Sequence, residues 1–441
     1  MTDMLGNTEE IVRKAKKLGA DQAVAKTTVG KYRQVRFSKN QIDITVAWND
    51  YSTDVALAWK KRVVATTIHS FEDTDACLSR LMQLAKISQE NPLFGGFAEG
   101  SFRYPKSKAD KDLEDLEKPA DYVFEAIEAA KKEAGHGIDS GGILFTKFED
   151  VYLASSEGPM GFDSRAAIEL SIRAFVEREA SGHGVECGST LKDFKPARAG
   201  EKAGEIAKMA KEPKIGEEGV YDVIFDPLIN GSLLSVWGGM VSAYSILLQM
   251  SVFVDKLGKK VAPEIVTLRD NPAPYSMSNR VYDDEGVPTH ENTFIDGGVL
   301  KTYLHNNSTA KMFKTKTTGN AGLVNPTAWN IEMQAGQTSK DEIFKGLKRG
   351  LYLTNTWYTR FQNYAKGDFS TIPRDGIFLI EKGEIAKSLK DLRLSDNVLT
   401  MLGNVAEVSK ERQHVHWWGE AEPPSLAPYM LIKNVHMTHS K

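Results

Sequence analysis

The side chains with chemical potential in this sequence are few and widely spaced. His414-Val415-His416 sets two imidazoles on alternate positions of an expected strand, where both face one side and could share a metal ion, with Glu420 and Glu422 close by. Histidines packed beside Trp417 and Trp418 are the commoner outcome for such a pair. His290-Glu291 is a His-Glu pair, but the residue four beyond Glu291 is Ile295, so no metal-binding helix follows and an exposed turn is the simpler reading. The phrases Thr318-Gly319-Asn320-Ala321-Gly322 and Gly367-Asp368-Phe369-Ser370 lack the Lys-Ser/Thr ending of a phosphate loop. They read as turns through which backbone approaches a peptide or a subunit, which makes Gly319, Asn320, Gly322, Gly367, Asp368, Phe369 and Ser370 candidate substrate contacts. Tyr352, Trp357, Tyr358, Phe361 and Tyr364 could form a flat platform for an extended peptide, or simply fill a core. No G-x-S-x-G elbow surrounds Ser235 or any other serine.

The elements that would position these groups follow from hydrophobic period and turn chemistry. A helix is expected over about residues 8–18, capped by Asn7 or Thr8 and stopped at Gly19. Val35 and Phe37, then Ile42, Ile44 and Val46, then Val55, Leu57 and Trp59 alternate as strands, with turns at Asn49-Asp50 and Lys60-Lys61. A helix over 73–88 covers one face of that meander, and a Gly/Pro/charge-rich linker fills about 90–118. A helix carrying Val123, Ile127 and Ala130, strands near 143–153 and 166–177, and a helix with Ala203, Ile206 and Ala207 come next. Beyond the polar run at 211–219 the chain is strand and turn, with hairpin signals at Asp296-Gly297 and Lys382-Gly383. The expectation is an α+β protein in three units: an N-terminal sheet-plus-helix domain (1–110), a central α/β domain (111–217) and a β-rich C-terminal domain with a buried helix (218–441).

That buried helix, at 231–249, belongs to an uncharged stretch from Pro227 to Val254. Its serines, Asn230, Gln249 and Gly238-Gly239 favour protein burial over membrane insertion. With 56 basic and 59 acidic residues and a net charge of -3, the chain offers no field for a nucleic acid. Only Cys77 and Cys187 are present and no apolar leader opens the sequence, so a reducing cytoplasmic setting is expected.

The ordered set EGVPTHENTFIDGGVLKTYLHNNSTAKMFKTKTTGNAG (285–322), YAKGDFS (364–370), GIFLIEKGEI (376–385) and NVLTMLGNVAEVS (397–409) resembles the C-terminal domain of TldD/PmbA proteins. QIDITVAWNDYSTDVALAW and ENPLFGG are similar to the N-terminal domain of that family. In the proteolytic branch a helix with a H-E-x-x-x-H pattern holds zinc while its glutamate handles the proton of the attacking water. The resemblance places Ser235 and Met240 at the histidine positions, Val236 at the glutamate, and Trp418 at a third, cysteine, ligand. It therefore implies the zinc-less PmbA/TldE branch. The expected function is a non-catalytic subunit with no metal of its own, helping a zinc-bearing TldD-like homologue to bind unfolded peptides as its heterodimer partner, with a homodimer in isolation left open by the sequence. A gyrase-modulator-like interaction protein and a metal enzyme built on His414 and His416 are the alternatives.

Overall fold

In the computed structural model, residues 3–417 and 421–439 are described. Helix α1 (Met4–Lys17) leads into β1 (Gln22–Ser38), β2 (Gln41–Trp59), β3 (Arg62–Ile68) and α2 (Thr74–Ile87). After a largely irregular stretch come α3 (Pro119–Ala134), β4 (Asp139–Ser155), β5 (Met160–Glu177), β6 (Ala180–Gly188) and α4 (Pro196–Met209). These strands form one six-stranded antiparallel sheet in the order β3-β2-β1-β4-β5-β6. The sheet is continuous across residue 110, where the sequence suggested a boundary, because β1 pairs with β4 from Val24 to Phe37.

The second half opens with β7 (Lys214–Ile215), β8 (Gly219–Phe225), α5 (Pro227–Met240) and α6 (Ala243–Leu247). Short elements follow: β9 (Leu268–Asp270), β10 (Asn292–Asp296), β11 (Val299–Leu300), α7 (Asn307–Met312), β12 (Ile331–Met333) and α8 (Lys340–Gly346). The chain ends with β13 (Arg349–Asn363), β14 (Asp368–Glu381), β15 (Glu384–Lys390), β16 (Leu392–Asn397), α9 (Val398–Gly403), β17 (Val405–Trp417) and β18 (Ala421–His439). A twelve-stranded mixed sheet results, in which β18 bridges β12, β8, β16 and β17. The architecture is α+β, with α5 buried against the second sheet and Trp237 fully enclosed.

Three local expectations are corrected. Helix α1 starts earlier than residue 8, because the Asp3 carboxylate accepts from the Gly6 amide at 2.9 Å and caps it there. Asn49 and Asp50 lie inside β2, paired with Lys31 and Gly30. The reversal is instead at Lys39-Asn40, whose φ values of 48° and 62° make the left-handed pair that a two-residue hairpin loop needs. The helix expected over 231–249 is broken, since Leu304 forms a parallel bridge to Ser242, with its N–H donating to the Val241 carbonyl at 3.0 Å and its carbonyl accepting from the Ala243 amide at 2.9 Å. Backbone groups claimed by a neighbouring segment cannot also continue a helical ladder.

Candidate functional site

Strand β8 ends at Phe225 and pairs with β13 through Leu351–Leu353. The next residue, Asp226, caps α5, its carboxylate accepting from the Leu228 amide at 3.2 Å. From there a helix takes the place of a strand beside β13, and the gap between them is a cleft of about 540 Å³. Ser232, Ser235 and Val236 form one wall, and Trp357, Phe361 and Tyr364 the other. Between the register pairs Trp357–Ile372 and Arg360–Ser370, the two residues Tyr358 and Thr359 stand opposite Thr371 alone, a bulge that turns the wall. Tyr358 has φ 61°, a left-handed conformation that costs a bulky side chain on the order of 1–3 kcal/mol and that surrounding structure must impose.

The aromatic cluster divides. Phe361 stacks on Tyr364 at 4.6 Å, and Trp357 meets Trp417 edge-on at 5.7 Å, both at the cleft. Tyr352 points elsewhere, buried against Phe378, with its hydroxyl donating to Asp226 at 2.6 Å. Half-exposed rings held by other rings suit an extended ligand better than a closed core.

The helix wall offers poor donors for zinc. Ser235 Oγ donates to the Pro423 carbonyl at 3.1 Å, Val236 carries an isopropyl group, and Met240 is buried in the core. A hydroxyl already engaged, a hydrocarbon and an enclosed thioether do not fit a divalent ion. Trp418 lies outside the described residues.

Behind the aromatic wall is a polar layer that local sequence gives no sign of. The Arg173 guanidinium carbon sits 5.6 Å from the Trp357 ring and its Nη2 donates to Asp375 at 3.1 Å. Asn355 donates to Asp375 at 2.9 Å and lies 3.0 Å from His183 Nδ1, while His183 Nε2 is 2.8 Å from Ser171 Oγ. Burial, reinforced by the nearby Arg173 charge, pushes His183 down to about 4, so the ring is neutral. Arg173 and His183, on β5 and β6, meet Asn355 and Asp375, on β13 and β14, across a sequence separation of 172 residues between His183 and Asn355, which is why no motif flags them. A second buried cluster anchors α5. Lys202 on α4 pairs with Asp226 at 2.7 Å and donates to Tyr352 and Tyr429, each at 3.1 Å. Burial works against its charge, but Asp226 together with Tyr352 and Tyr429 outweighs that and holds the ammonium well above its ordinary range.

The other candidates lie elsewhere. Asn320 is fully buried, donating to Asp270 at 2.6 Å and to the Thr327 carbonyl at 2.9 Å. Gly319 (φ 68°) and Gly322 shape that internal turn and are not on the cleft wall. Gly367, Asp368, Phe369 and Ser370 form the β13–β14 hairpin tip. There Phe369 packs beneath Phe361 at 6.0 Å, Asp368 accepts from Asn397 and Ser370 accepts from Arg393. His414 is turned toward Tyr275, and burial lowers its pKa. His416 pairs with Glu169 instead. Among the described residues no group of three or more His, Cys, Asp or Glu side chains is arranged to hold a metal. His290 is exposed, and Glu291 pairs with Arg269 at 3.2 Å. No described helix is long and apolar enough to cross a membrane.

Against known proteins, the PmbA/TldA metallopeptidase central-domain model matches residues 108–211 and the C-terminal-domain model residues 218–439. A metalloprotease of Methanocaldococcus jannaschii is 34% identical over 201 residues, covering 44% of each chain. One from Methanothermobacter thermautotrophicus is 29% identical over 305 residues, 63% of this chain and 65% of that one. A TldD homologue of Haemophilus influenzae is 25% identical over 295 residues, 61% and 60%. The matched stretches thus span between 44% and 65% of these relatives' lengths. TldE of Thermococcus kodakarensis superposes with a TM-score of 0.86 at 21% identity, covering 98% of this chain and all of that one. A Thermotoga maritima protein described as a modulator of a DNA gyrase gives 0.85 at 22%, covering 98% and 99%. At these identities the structural likeness speaks for the fold.

Proposed function

Because the chain belongs to the PmbA/TldA metallopeptidase family, we propose that it is a cytoplasmic, non-catalytic subunit that holds extended peptides for a zinc-bearing TldD-like homologue. The observation that carries this reading is the α5 wall of the cleft. Where the family resemblance puts metal ligands and a general base, this wall offers only Ser235, Val236 and the buried Met240. None of them can supply a metal-activated water.

The cleft retains what binding requires. Its aromatic rings give apolar area at low entropic cost, and a strand-like ligand laid along β13 is recognised mainly through its backbone. Arg173 and Asp375 hold Trp357 from behind, so the wall is preformed. Zinc, in this reading, belongs to the partner alone.

The test is a peptide-cleavage assay with this chain alone, the homologue alone, and both co-expressed. Cleavage by the pair that exceeds either chain supports the proposal, with Phe361→Ala/Tyr364→Ala in this chain raising KM about tenfold. Chelator-sensitive cleavage by this chain alone would overturn it.

A further inference from the structure

A second cavity, of about 240 Å³, lies away from the cleft, between the irregular segment at 105–108, the start of β5 and two loops of the C-terminal half. Its distinguishing feature is Arg280. The guanidinium carbon sits over the Trp329 ring, 3.5 Å from the centroid. Trp329 is itself fixed, its amide donating to Asp270 at 2.7 Å and its indole N–H to the Gly319 carbonyl at 2.9 Å. The Arg280 side chain makes one weak hydrogen bond, from Nε to the Ser278 carbonyl at 3.4 Å. Its two Nη groups make none to a described residue.

Asp284, Asp163 and Asp270 act on the guanidinium through their charge but are each hydrogen-bonded or paired to another residue. Asp284 pairs with Lys26 at 3.0 Å and Asp163 with Arg165 at 2.8 Å. Asp270 accepts from Asn320, Trp329 and Asn330, and Glu291 on the cavity rim pairs with Arg269. Arg165 adds a second guanidinium nearby, with Nη2 buried and without a hydrogen-bond partner. Lys106 and Lys108 line the open side. Burial and the neighbouring Arg165 charge lower Arg280 to about 10, so an anion placed here would remove a standing penalty.

We propose that this cavity binds an oxyanion group, a phosphate or a carboxylate, held by Arg280 in a fork and closed over by Lys106 and Lys108. The inference is independent of the peptidase reading, and its test reads binding alone. Thermal unfolding of the full chain is followed while inorganic phosphate is titrated against sodium chloride of equal ionic strength. A parallel arm uses N-acetylalanine and its amide. A saturable rise in the unfolding midpoint with phosphate or N-acetylalanine, beyond that given by chloride, is expected. Response to N-acetylalanine but not to the amide assigns the site to a free carboxylate, and response to phosphate alone assigns it to a phosphoryl group. Lys106→Ala/Lys108→Ala, at exposed positions, should weaken binding about tenfold. Arg280→Met should abolish it, and if that variant does not fold the lysine pair decides. No saturable shift with either anion, or an unchanged affinity in the lysine variant, would overturn the proposal.

Discussion

The two sheets of this molecule are held together by different means. The first joins two sets of consecutive hairpins, β1-β2-β3 and β4-β5-β6, through the β1–β4 pairing, and the helices on it approach so closely that backbone touches backbone. A Cβ at Gly184 would come within 1.9 Å of the Ala199 carbonyl, and one at Gly200 within 2.0 Å of the Ala126 carbonyl. The second sheet gathers strands distant in sequence around large buried side chains, among them Trp237, Phe225 and Phe294. With one long-range pairing among mostly local ones, the first half works with small residues at its helix contacts, whereas the many long-range pairings of the second are offset by burial of large ones.

Substitutions can break that contrast. Trp237→Ala removes a fully buried ring whose Nε1 donates to the Val398 carbonyl at 3.1 Å, and is expected to cost about 3–5 kcal/mol in chemical denaturation. Hydrogen exchange should accelerate across the second sheet more than the first; uniform loss of protection would mean the two halves are one cooperative unit. Gly184→Val is the mirror experiment, expected to cost about 3 kcal/mol by forcing α4 off β6. A loss below about 1 kcal/mol would show that the helix can slide.

Titration sharpens the same comparison. His183 carries a proton in the unfolded chain below about pH 6.5 but in the folded one only near 4. The unfolded state therefore binds more protons in that window, and this ring destabilises the fold as pH falls. Relative to the parent, His183→Gln should gain about 2 kcal/mol on going from pH 7 to pH 4.5, read from urea midpoints at both values. In the second half the sign reverses. Burial, and then the neighbouring Asp283 charge, raise Glu285 to about 8, so the unfolded chain gives up that proton first and stability falls as pH rises from about 4.5 toward 8. Glu285→Gln should recover about 3 kcal/mol at pH 8 compared with pH 5, and an equal effect at both values would assign the penalty to packing.

How much of this was legible beforehand depends on the range of the interactions. The turns at Asp296-Gly297 and Lys382-Gly383 follow from the residues themselves and close hairpins as expected. Strand β6, read as no element, is rich in glycine because α4 lies directly on it, and that removes the usual strand signal. At the site, Ser235, Val236 and the aromatic run of β13 could be named from sequence, and the structure brings them to one cleft. Asn320 could not be told from a ligand contact, since its value lies in hydrogen bonds to Asp270, fifty residues away in the chain. The polar layer of Arg173, His183, Asn355 and Asp375 exists only once the two sheets are docked.

The tie between Lys202 and Asp226 has a mechanical consequence. The carboxylate that begins α5 is also the counter-charge of an ammonium on α4, with Tyr352 and Tyr429 completing the knot. Any hinge that lifted α5 away from β13 would strand a cation in a nearly dry interior, at a cost of several kcal/mol. The jaw of the cleft is thus riveted at its root, and a guest must enter along the groove because the helix cannot swing aside to admit it.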